Sequence, residues 1–213
     1  MSALAGARLR AVALGGLVAF VALVALQHAL VPGLAPARHF VSEYANAETG
    51  LVQGVAFLGW AFGLGACAVL AARADGPRRP AARAVTVAAL ALAAGGAVLT
   101  ALFATQTVAG ELPPGAVRTL PGRLHDLGSL AIFAALLVAA SASARLVTGW
   151  GYRLTVLGLL LALLAIVPAL VALGIDAPGW GQRAFITVAC AWQIAFVLAV
   201  SRAPGEDAFQ HGR

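Results

Sequence analysis

The sequence predicts an all-α fold: a polytopic integral membrane protein built as a bundle of six transmembrane helices. Three observations carry the prediction. The 213 residues are 62% hydrophobic and only 10% charged, too little charge to cover a soluble protein of this length. The apolar residues fall in charge-free runs of roughly 20, enough to cross a hydrocarbon layer of about 30 Å. Those runs have helical length and lack the ~10-residue alternation of an outer-membrane barrel.

The first span is read at residues 9–31, behind Arg8 and Arg10. Ala35-Pro36-Ala37 resembles a signal-cleavage site. The apolar run exceeds the 7–15 residues such signals use, and a proline there disfavours cleavage, so a retained span is expected. Gln27 and His28 sit in its last turns. The polar connection that follows contains ARHFVSEYANAETG. Read as a helix, it places His39, Ser42, Glu43 and Asn46 on one stripe, continuing through Gly50 and Gln53 into a second span at residues 51–72. Gly59 and Gly63 in that span form a small-xxx-small pair that admits a close neighbour.

RADGPRRPAAR, a proline-broken loop with four arginines, leads to the third span at residues 84–106, whose tip holds Thr100, Thr105, Gln106 and Thr107. The fourth span, residues 121–146, opens on LPGRLHDLGS, with Pro121 suited to a first helical turn. Gly122, His125, Asp126 and Ser129 then share a face. Arg145 and Arg153 flank a turn at Gly149-Trp150-Gly151. The fifth span is residues 152–174, kinked at Pro168, and the sixth is residues 182–200. Residues 1–204 thus form one membrane domain, and 205–213 a polar, disordered tail.

The net charge of +6 rests on fourteen arginines and no lysine. Their confinement to short loops fits the positive-inside rule rather than a nucleic-acid footprint. Arg8, Arg10, Arg73, Arg78, Arg79, Arg83, Arg145, Arg153 and Arg202 lie on the side of the N-terminus, against Arg38, Arg118, Arg123 and Arg183 on the other. This places the protein in the cell (inner, cytoplasmic) membrane with both termini in the cytoplasm. Cys67 and Cys190 fall inside spans and read as packing residues. Trp150 and Trp180 suit interfacial anchors, and Gln193, mid-span, an interhelical hydrogen bond.

With that orientation the outer face collects His39, Ser42, Glu43, Asn46, Arg123, His125, Asp126, Ser129, Gln182 and Arg183. Polar residues at helix ends facing a bundle interior are costly unless paired, so they are candidates for a site. Helix capping and ion-pair locking, with Glu43 on Arg123 or Arg183, account for the same residues without any ligand. Three chemistries compete with that reading. A lipid headgroup or small ligand would engage the ion-pair cluster His39, Glu43, Asn46, Arg123, Asp126, Gln182 and Arg183. A hydrolase acting on a lipid-like substrate would use Ser42 or Ser129 as nucleophile and His125 as base. A zinc ion would take His39, His125 and Glu43, with His28 and Asp126 as further candidate ligands, though no spacing here matches a metal motif. A transporter fits least, since no ionisable group lies near the midplane. Composition leaves activity, substrate and oligomeric state open.

HFVSEYAN after the first span, FATQ closing the third, LPGRLHDLGS opening the fourth and GWGQR before the last together resemble the bacterial and archaeal membrane family known as domain of unknown function 998 (DUF998). The resemblance runs over nearly the whole chain. It departs where Tyr44-Ala45-Asn46 replaces a Leu-Gly type continuation after Ser42-Glu43, and where Phe103-Ala104-Thr105-Gln106 replaces a Phe-Pro-x-Asp tip. It implies a six-helix membrane protein with Ser42, Glu43 and His125 as positions of interest, and it implies no activity.

Overall fold

A computed structural model describes residues 3–74, 79–147, 149–172 and 177–200. Asp75, Arg78 and the tail beyond Val200 lie outside the described residues, as does the side chain of Pro168. Six α-helices follow in order: α1 (Ala3–Leu30), α2 (Gly50–Ala72), α3 (Pro80–Leu102), α4 (Leu120–Leu146), α5 (Trp150–Ala172) and α6 (Pro178–Val200). A short 3-10 helix, η1 (Val41–Asn46), precedes α2. At a rise of 1.5 Å per residue, a 23-residue helix such as α2 is about 35 Å long, enough to span the hydrocarbon layer. Among the described residues, five of these helices are individually long and apolar enough to cross a membrane, and α5 adds an apolar stretch at Trp150–Leu161. The chain is a multi-pass helical membrane protein.

Successive helices run antiparallel and pack as neighbours: α1 on α2, α2 on α3, α3 on α4, and α5 on α6, with α6 returning to touch α1 and α2. Two of these contacts are set by glycine. A Cβ on Gly16 of α1 would stand 2.3 Å from the Gly59 carbonyl of α2, so backbone meets backbone there. Between α3 and α4, a Cβ on Gly96 would lie 2.6 Å from the Gly128 carbonyl, and one on Gly128 2.7 Å from the Gly96 carbonyl. That reciprocal contact draws the last turns of α3 over the first turns of α4.

The core is aromatic on the α1–α2 side, where Phe20 stacks on Trp60 at 4.5 Å between ring centroids. The Trp60 indole N–H donates to Gln193 Oε1 of α6 at 3.0 Å, the interhelical bond expected of that glutamine. Cys67 and Cys190 are buried free thiols. Large apolar side chains such as Leu92, Leu130 and Leu198 point outward and are more than half exposed, which suits a lipid-facing surface.

One expected element differs. The sequence stripe from His39 to Gln53 presumes a straight helix, whereas the chain forms η1, breaks at Ala47–Thr49 and restarts as α2. A 3-10 turn repeats every three residues, so His39, Ser42, Glu43 and Asn46 do not share a single face with Gln53.

Candidate functional site

The connections after α1 and α3 and the first turns of α6 meet at one end of the bundle, and hydrogen bonds tie them together. Asn46 Nδ2 donates to the Thr105 carbonyl at 3.1 Å. The Val41 N–H, at the start of η1, donates to Gln182 Oε1 at 2.7 Å. The HFVSEYAN and RLHD turns therefore stand at the same face.

Glu43 is the centre of the first group and is 3% exposed. Its Oε2 accepts the Ala109 N–H at 3.0 Å and lies 2.6 Å from His39 Nδ1. Its Oε1 accepts the Gly110 N–H at 3.0 Å. Those two N–H groups belong to a two-residue turn closed by paired Val108–Glu111 backbone bonds of 2.8 and 3.1 Å. Ala109 and Gly110 both have positive φ, 53° and 83°, the signature of a type I′ turn. Glu43 thus anchors a tight hairpin over the bundle; among the described residues no salt bridge joins it to Arg123 or Arg183, although its charge acts on the Arg183 guanidinium. Arg123 is exposed.

Arg183 organises the second group. Because α6 begins at Pro178, earlier than the span boundary read from hydropathy, Arg183 sits in its second turn and reaches inward. Nη1 donates to the carbonyls of Pro36 at 2.8 Å, His39 at 2.7 Å and Gly179 at 3.1 Å. Nε donates to His28 Nε2 at 3.1 Å. His28 Nδ1 lies 2.6 Å from the Val24 carbonyl; a carbonyl only accepts, so Nδ1 carries the hydrogen and Nε2 is the free lone pair that Arg183 needs. The guanidinium is a clamp on the loop after α1.

The third group lies between α2, α3 and α4. His125 is 2% exposed, and its Nδ1 is 2.7 Å from the carbonyl of Phe103, the residue that ends α3. The same reasoning puts the hydrogen on Nδ1 and leaves Nε2 as an acceptor. No hydrogen bond joins His125 to Ser42 or Ser129 among the described residues, although Ser129 follows it by four: the Phe103 carbonyl holds the ring. Asp126 turns away to the rim and pairs with Arg118, both partly exposed. On α2, Gln53 is fully buried, and among the described residues neither its Oε1 nor its Nε2 has a hydrogen-bond partner. Its neighbour Gly54 approaches the Ala101 carbonyl of α3, 3.2 Å from an added Cβ. Gln53 is therefore level with the last turn of α3, which carries buried Thr100 and leads into Phe103. Gln53 on α2, Thr100 on α3 and His125 on α4 are each buried at this end of the bundle, beneath the hairpin.

Of the cluster read from sequence, the fold gathers His39, Glu43, Asn46, Gln182 and Arg183 into one network and His125 into another, and leaves Arg123, Asp126 and Ser129 at the rim. His39 and Glu43 do meet, but His125 is held elsewhere, and no three His, Cys, Asp or Glu groups gather as metal ligands among the described residues. Sequence reasoning passed over Gln53 as a member of a stripe, and Gln27, whose amide grips Thr49 by bonds of 2.8 and 3.1 Å. It also passed over Ala109 and Gly110; the Ala-Gly pair before Glu111 is the available signal for their turn.

No curated protein and no solved structure matches the chain. The family described as "Protein of unknown function (DUF998)" matches residues 13–199, which takes in every helix core and all three groups described above. The chain belongs to the DUF998 family of membrane proteins.

Proposed function

We propose that this protein binds a small, uncharged, hydroxyl- or amide-bearing group, such as the headgroup of a neutral lipid, in the polar layer at the outer end of its bundle. The termini then lie in the cytoplasm, as the arginine distribution favours. The single observation that carries the reading is Gln53: a fully buried amide whose donor and acceptor both lack partners. Such a group costs about 1–3 kcal/mol, and buried polar groups without partners are rare enough in folded proteins to demand a reason. On this reading a ligand hydroxyl satisfies the Gln53 amide, and the Nε2 lone pair of His125, buried at the same end of the bundle, is proposed as its second partner. The charged residues nearby are committed to the frame: Glu43 holds the hairpin and Arg183 the first loop.

The hydrolase reading draws less support, because a serine nucleophile needs its base within hydrogen-bonding reach and the His125 ring is bonded to Phe103. The zinc reading likewise loses its third ligand.

Thermal unfolding of the detergent-extracted protein, with monooleoylglycerol and methyl oleate as probes, tests the proposal. The hydroxyl-bearing monooleoylglycerol is expected to raise the midpoint, methyl oleate to leave it unchanged, and His125→Ala to abolish the difference. Equal effects of the two probes would overturn it.

A further inference from the structure

The opposite end of the bundle carries a cluster that orientation alone does not explain. Arg79, the residue before α3, donates Nη1 to the Arg145 carbonyl at 2.9 Å. Arg153, in the first turn of α5, donates Nε to the Ala144 carbonyl at 3.1 Å. Arg145 itself lies in the last turn of α4 with its side chain exposed. Two guanidinium groups, one before α3 and one from α5, thus converge on two consecutive carbonyls at the C-terminal end of α4, the negative end of that helix dipole, and Arg145 adds a third positive charge in the same turn.

The dipole accounts for part of the attraction, about half an elementary charge, against three full positive charges. The Arg118–Asp126 ion pair is at the other end of the molecule. Each tied guanidinium spends a single N–H on its carbonyl, and the rest of the planar fork is shaped for a phosphate or carboxylate. Depth selects between anions. Trp150, the first residue of α5 and only three positions from Arg153, is 72% exposed, and an exposed tryptophan at the end of a membrane helix marks the level of lipid headgroups. Basic pockets between helix ends on such a face take anionic headgroups.

We propose that Arg79, Arg145 and Arg153 form a binding site for the phosphodiester headgroup of an anionic phospholipid. The site is independent of the polar layer at the other end. Arg79 and Arg153 are fixed by the carbonyls of α4, so bound lipid adds to the bonds that tie α3, α4 and α5 together at this end.

The test is quenching of tryptophan fluorescence in the full chain reconstituted into phosphatidylcholine vesicles, with brominated phosphatidylglycerol or brominated phosphatidylcholine as probe. Brominated phosphatidylglycerol should quench with a relative affinity about fivefold or more above brominated phosphatidylcholine, the factor that roughly one effective arginine contact supplies. Arg79→Gln with Arg153→Gln should bring the ratio to about unity, whereas Arg79→Lys with Arg153→Lys should keep part of it. Arg145→Gln removes a charge without breaking a hydrogen bond, and it should lower the ratio even if the double variant fails to fold. Arg123→Gln, at the far end, should leave it unchanged. Equal quenching by the two lipids, or a ratio unaffected by Arg145→Gln, would overturn the proposal. Loss of the preference in 10 mM inorganic phosphate, at an ionic strength matched with chloride, would assign the site to a free anion and overturn the lipid.

Discussion

Glu43 accepts the backbone N–H of Gly110 at 3.0 Å across 67 residues of sequence. With the companion bond from Ala109, this carboxylate fixes the hairpin after α3 to the 3-10 helix before α2. It is the point where the α1–α6 network and the α3–α4 network become one structure. Replacing it with glutamine keeps one acceptor but sets an amide donor against a buried N–H. Glu43→Gln is expected to cost about 2–3 kcal/mol, the range for a hydrogen bond to a charged group, read as a lowered unfolding midpoint in detergent. Unchanged stability would mean that the hairpin is held by other contacts.

Ala109 occupies the left-handed region at φ 53°, where a Cβ costs about 1 kcal/mol. Asparagine is favoured at this position of a type I′ turn before glycine. Ala109→Asn should therefore stabilise the protein by about 0.5–1 kcal/mol, measured in the same unfolding assay, with no change in helix content.

The reciprocal glycines of α3 and α4 leave no room for a side chain. Gly96→Leu should separate the two helices and pull the Phe103 carbonyl away from His125. The expected loss is at least about 1–3 kcal/mol, as for overpacked cores, seen as aggregation on size-exclusion chromatography. Gly95→Ala is the control, since a Cβ there meets nothing within 4 Å.

Arg183→Lys keeps the charge but cannot reach the carbonyls of Pro36, His39 and Gly179 together with His28. It should release the loop after α1, detected as faster proteolysis between Val31 and His39, while the polar layer stays intact. Protection equal to wild type would show the clamp to be dispensable.

How far the sequence foretold this arrangement depends on the kind of signal. Charge-free runs report directly on the cost of burying charge in lipid, so the helical membrane fold was legible, and the lopsided arginines brought the HFVSEYAN and RLHD turns to one face. The small-xxx-small pair at Gly59 and Gly63 marked the α1–α2 contact, but Gly96 and Gly128 lie in different helices, and nothing along the chain pairs them. The partners of Glu43 were hidden for another reason: they are backbone N–H groups, which every residue has, made available by the φ values of Ala109 and Gly110. His125 misled in the same way, since its partner is a carbonyl rather than Ser129. Gln53 carried no sign of its isolation, because an absent partner is visible only in three dimensions.

On the function proposed above, Gln53 is kept at a cost to stability so that a ligand can bind. Gln53→Leu, compared with wild type by thermal unfolding with and without monooleoylglycerol, tests it most directly. Removing an unsatisfied buried amide should raise the ligand-free stability by about 1–2 kcal/mol and erase the response to monooleoylglycerol. A variant that is less stable than wild type and still responds to monooleoylglycerol would contradict the account.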